Sequence, residues 1–168
     1  MKAKFIIESN ILKPKSDEDI FKALEKEEPI EDAEDATKHL RAAIGRKILP
    51  YVKYALKYGG LVLNTPKSGN LWVAFNENVN EDIIIELINQ PQIIRYFENF
   101  GNFRRTILGK IQYMAMENVA NHVLNTLGEY ITEHDMFTVI YETENQYAWE
   151  GSEKVLNLYK KFKDDMQS

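Results

Sequence analysis

Leu61-Val62-Leu63-Asn64-Thr65-Pro66-Lys67-Ser68-Gly69-Asn70-Leu71-Trp72-Val73-Ala74-Phe75 is the stretch on which the fold class turns. Two apolar runs flank a stretch of turn chemistry, which predicts a hairpin with strands over 61–63 and 71–75. Two more segments then join a sheet. Lys4-Phe5-Ile6-Ile7 and Met136-Phe137-Thr138-Val139-Ile140-Tyr141 concentrate β-branched and aromatic residues, the usual occupants of strands. The expected fold class is therefore α+β: a predominantly helical single domain over 1–168 with a small sheet of three or four short strands.

The rest of the chain reads as helix. Leu40, Ile44, Ile48, Tyr51, Val52 and Ala55 recur at three- and four-residue steps and predict a helix over 36–58. Pro50 removes a backbone donor within it, so a kink or two abutting helices is expected there, and Gly59-Gly60 ends the element. Upstream, Ser16 precedes Asp17, Glu18 and Asp19 as a cap with acids in the first turn. The like-charged, proline-interrupted stretch at about 25–35 reads as an exposed acidic linker. Downstream, Asn80 and Pro91 open helices, and Asn102 caps a long helical stretch to about Thr132 that must wrap or break near Gly109 or Gly128. Ser152 is expected to cap a final helix with Val155, Tyr159, Phe162 and Met166 along one side.

Composition narrows the setting. The chain has 168 residues, enough for one buried core, and no cysteine. A disulfide framework, a thiol nucleophile and a Cys-based zinc site are all excluded. No apolar run approaches a membrane span, and the opening residues lack the apolar core of a signal peptide. The expected location is the cytoplasm, or a particle assembled there. Lys outnumbers Arg 16 to 5 beside 17 Ile and 14 Asn, the bias of AT-rich codons, which points to a low-GC bacterium or its phage.

The net charge of −5 conceals segregation along the chain. Residues 37–76 hold 7 Lys or Arg and no acid, whereas residues 117–153 hold 8 acids and no Lys or Arg. Such blocks either neutralise one another within a folded monomer or attract a partner.

Three constellations stand out, each with a plain structural reading beside the functional one. Basic residues interleave with aromatics in zones 37–76 and 95–110: Arg46, Lys53, Lys57, Lys67, Arg95, Arg104, Arg105 and Lys110 form a candidate basic surface for a nucleic-acid strand. Phe97, Phe100 and Phe103 in the same region have core spacing. Glu117, Asn118, Asn121, His122 and Asn125 make a polar stripe, either a network between helices or a pocket wall with His122 as acid or base. Tyr141, Glu142, Glu144, Tyr147 and Trp149 mix rings with acids, as a protein interface does, though an ordinary loop reads the same way. No HxxxH, HExxH, GxSxG, GxGxxG or GxxxxGK[ST] pattern occurs.

The functional expectation is a non-enzymatic protein-binding or assembly protein without cofactor or metal. It would be a structural subunit of a viral or other large assembly, or a small accessory protein that binds a host factor. Its partner would be another protein or itself, as a homo-oligomer or larger assembly, with no membrane. The alternative is nucleic-acid binding through the two basic zones, and the third reading is an enzyme with a His122-centred pocket.

Overall fold

The structure is a computed structural model that describes residues 16–145 and 150–168. Among the described residues it is all-α: ten α-helices and one 3-10 turn, with no strand. The helices are α1 (Asp17–Glu25), α2 (Ala33–Arg46), α3 (Leu49–Lys57), α4 (Asn70–Asn76), α5 (Glu81–Ile88), α6 (Pro91–Asn99), α7 (Gly101–Tyr113), α8 (Glu117–Thr126), α9 (Glu133–Glu144) and α10 (Glu150–Met166). Two compact units divide the chain, Met1–Leu87 and Ile88–Ser168.

In the first unit α1 begins as its sequence dictates, with the Ser16 hydroxyl accepting from the Asp19 backbone N–H at 3.2 Å. The segment 36–58 contributes two helices. Lys47 ends α2 in the left-handed region (φ 58°), Ile48 is extended, and Pro50 falls in the first turn of α3, where its missing N–H costs nothing. The two helices pack face to face along Leu40, Ala43, Ile44, Val52 and Ala55, all fully buried. Residues 26–32 connect α1 to α2, with Ile30 buried and the Tyr54 hydroxyl donating to the Glu28 carbonyl.

The α+β expectation is overturned here. The turn at 64–69 is present, with Asn64 N–H bonded to the Ser68 carbonyl at 2.9 Å, but neither arm is a strand: residues 61–63 are irregular, with a bend at Val62. Its second arm is α4. Leu71, Ala74 and Phe75 are fully buried, the i, i+3, i+4 pattern of a helix rather than the alternation of a strand. A buried Asn70 side chain ties the helix start down: it accepts from Arg41 Nε at 2.6 Å and donates to the Leu61 carbonyl at 3.0 Å. Gly69 makes the hand-over possible. Its φ is 135°, and a Cβ there would stand 2.6 Å from Leu63 Cα.

The strand expected over 136–141 is likewise helical, the middle of α9. Met136, Val139, Ile140 and Thr143 are buried on one face, and a capping box at Thr132 and Asp135 starts the helix. Packing and capping override the β propensity of Val139, Ile140 and Thr138. The strand expected at 4–7 lies outside the described residues.

The second unit is built round α7, which packs on α6, α8, α9 and α10. The stretch from Asn102 to Thr132 breaks at Ala115, which takes a left-handed φ of 54°, and again at Leu127–Gly128; Gly109 stays inside α7. Ser152 lies within α10 rather than before it, and it is buried, with its carbonyl accepting from Gln112. Tyr159 of α10 is fully buried, its hydroxyl donating to the Leu108 carbonyl at 2.7 Å. Burial pushes that phenol well above its ordinary range.

Candidate protein-interaction site

The site begins with the capping box. The Thr132 hydroxyl accepts from the Asp135 N–H and the Asp135 carboxylate accepts from the Thr132 N–H, both at 3.0 Å. This fixes the rotation of α9. With Met136, Val139 and Ile140 turned inward, Phe137 and Tyr141 stand one turn apart on the outer face. They are 57% and 61% exposed, although the fold itself gains nothing from holding two large rings in water. The rings stack at 6.2 Å between centroids and 15° between planes.

Helix α10 supplies the other wall. Lys163 Nζ lies 5.5 Å from the centre of the Phe137 ring, and Lys160 Nζ meets Glu144 at 2.8 Å. An open cleft of about 310 Å³ runs between them, lined by Phe137, Ile140, Tyr141, Glu144, Lys160, Lys163 and Asp164. The ion pair is half exposed, so its own contribution is less than about 1 kcal/mol, and it leaves both groups available to a partner.

Of the residues expected at a protein interface, Tyr141, Glu142 and Glu144 are exposed on α9. Tyr147 and Trp149 lie outside the described residues. Phe137, Lys160 and Lys163 were absent from that expectation. The strand reading hid Phe137, because helical spacing is what pairs it with Tyr141.

The basic residues have several fates. Arg104 and Arg105 both bond Asp135, through Nε to Oδ2 at 2.7 Å and Nη1 to Oδ1 at 2.8 Å. Arg104 Nη1 also donates to the carbonyls of Phe97 and Glu98 at the end of α6. Asp135 is fully buried. Burial alone would raise its carboxyl, but the Thr132 N–H and the two guanidinium groups outweigh that and hold it below the ordinary range. Arg46 lies 3.6 Å from Asp17, Lys110 is half-buried on α7, and Arg95 is exposed on α6. Lys67 is exposed in the 64–69 turn. Lys53 and Lys57 flank Tyr54 and Tyr58 at a second open cleft of about 240 Å³ in the first unit.

The polar stripe faces solvent. Glu117, Asn118, Asn121 and Asn125 are exposed, and His122 is half-buried with Nε2 at 2.6 Å from the Asn89 carboxamide oxygen. A different histidine is the buried one. His39 lies in the core of the first unit with Nδ1 2.7 Å from the Tyr51 hydroxyl, and its Nε2 has no hydrogen-bond partner. Among the described residues no three His, Asp or Glu side chains are placed to hold a metal ion, and no helix is long and apolar enough to cross a membrane.

Compared with protein-family models, curated proteins and solved structures, the chain matches none of them.

Proposed function

We propose that the protein is a non-enzymatic binding or assembly component that engages another protein chain through the α9–α10 face. It would serve as a structural subunit of a larger assembly or as a small accessory protein, acting in the cytoplasm or in a particle assembled there. The stacked, water-exposed Phe137–Tyr141 pair above the cleft carries this reading. Covering roughly 200 Å² of ring surface at about 25 cal/mol per Å² is worth on the order of 5 kcal/mol before association costs. That is the scale of a hot spot, and the rim of Lys160, Lys163, Glu144 and Asp164 supplies the polar surround such centres have. The test compares the full chain with a Phe137→Ser, Tyr141→Ser variant as bait in its native cell. A stoichiometric protein complex formed by the first and lost by the second supports the reading. Equal recovery by both, or none by either, contradicts it.

A second reading rests on the cleft of the first unit. Lys53 and Lys57 beside Tyr54 and Tyr58 combine positive charge with ring faces, as single-stranded nucleic-acid sites do. Glu27 in the same lining and the commitment of Arg104 and Arg105 to Asp135 weigh against it. Anisotropy of a labelled oligothymidylate at low salt tests it: binding that weakens in Lys53→Ala, Lys57→Ala supports nucleic-acid contact, and no binding removes it.

A further inference from the structure

Resting on that protein-binding reading, we infer that the occupant of the α9–α10 face is a second copy of this chain, related by a two-fold axis. The argument is one of charge. A partner of one sign would find half of this rim repulsive, because Glu144 and Asp164 share it with Lys160 and Lys163. The rim is neutral with both signs side by side, and a two-fold contact sets each patch against its own copy. Self-contact therefore requires a patch able to complement itself, which a one-signed rim could not do. Here Lys160 and Lys163 meet the partner's carboxylates while its lysines meet Glu144 and Asp164.

The apolar centre satisfies the same requirement. Phe137 and Tyr141 lie exposed one turn apart, and a copy turned by two-fold offers the same pair to pack against them.

The size of the face sets the strength. Helices of 12 and 17 residues are about 18 and 25 Å long, so together they offer roughly 400 Å² a side, or on the order of 800 Å² in total. That is below the roughly 1,000 Å² of a stable specific interface, so the dimer is a weak, transient one that forms and separates with concentration.

Sedimentation velocity of the full chain over a range reaching about 300 µM tests this. The wild type is expected to shift from monomer to dimer, and Phe137→Ser with Tyr141→Ser to raise the dissociation constant at least tenfold. Two charge variants separate a specific two-fold contact from loose stickiness: Lys160→Glu, Lys163→Glu and Glu144→Lys, Asp164→Lys. Each alone is expected to stay monomeric through like-charge repulsion. Mixed in equal amounts they are expected to associate at least as tightly as the wild type, and to lose that association when both also carry Phe137→Ser. All these positions are on the face rather than in the core, and circular dichroism confirms that each variant is folded. A wild type that stays monomeric throughout, or a dimer indifferent to the substitutions, overturns the inference. If the monomer's Phe137→Ser, Tyr141→Ser variant still loses a heterologous partner in the native cell, the second-copy inference has failed while the binding reading stands. If it loses none, both have failed.

Discussion

Arg104 reaches Asp135 across 31 positions of sequence, its Nε–H donating to a carboxylate that is wholly buried. One ion pair thereby clamps α7 to the start of α9, and Arg105 closes the second oxygen. It also spends two of the cations that the sequence offers for a nucleic-acid surface.

Removing the carboxylate should therefore unfold rather than disarm. Asp135→Ala takes the carboxylate from two guanidinium groups that are 11% and 24% exposed, and it removes the half of the α9 capping box that accepts from the Thr132 N–H. The expected loss is about 3 kcal/mol in urea-induced unfolding, the usual scale for a broken, largely buried pair. Asp135→Asn, which keeps the shape, should lose less. A change below about 0.5 kcal/mol for Asp135→Ala would show that the clamp contributes little.

Acid should weaken the fold in two steps. Burial lowers His39 from 6.5 to about 4, against a smaller upward pull from Asp35. The unfolded chain thus binds the proton first, and stability is lost as pH falls from about 6.5 to about 4. Asp135 is depressed in the folded state, so its contribution is present above its ordinary 3.8 and is lost below that as it protonates. Thermal unfolding followed at half-unit intervals should show a falling midpoint from pH 6.5 downward. In His39→Phe the decline between 6.5 and 4 should flatten while the decline below 4 persists.

Gly69→Ala tests the hand-over from turn to helix. At φ 135° with Leu63 Cα, Asn64 N and Val62 O all within 2.9 Å of a Cβ, the substitution forces backbone to move. The expected cost is about 2–3 kcal/mol, read as a lower thermal midpoint. Gly109→Ala, with open space around its Cβ, should be neutral or stabilising by comparison.

The acidic connection should be cut first by a Glu-specific protease, since Glu25, Glu27 and Glu31 are exposed there. Ile30 and the Tyr54–Glu28 hydrogen bond hold the segment against the first unit. Tyr54→Phe should speed that cleavage severalfold; an unchanged rate would show that the bond restrains nothing.

What could be read in advance followed local chemistry. Ser16 capped its helix, Pro50 marked the break between α2 and α3, and Gly128 fell at a helix end, because each acts within a few residues. The strands failed where local preference met tertiary packing. Leu71-Trp72-Val73-Ala74-Phe75 is a short apolar run beside a turn, as a buried strand would be, yet Leu71, Ala74 and Phe75 also share a helical face, and Asn70 bonded to Thr37, Arg41 and Leu61 decides between them. Those partners lie nine to 33 positions away. Thr132-Glu133-His134-Asp135 did carry a local signal, a capping box that announces α9. Reading it would have put Phe137 beside Tyr141. The ring contacts of Lys163 and the pairing of Lys160 with Glu144 needed the packing of α10 on α9.

The most direct test of the α9–α10 face as the binding surface is photo-crosslinking in the native cell. A benzophenone side chain replaces Tyr141 in one strain and Tyr113, 58% exposed on α7, in another. The account predicts a discrete protein adduct from position 141, whether with a second copy or another chain, and none from position 113. An adduct from position 113 with none from position 141 would contradict it.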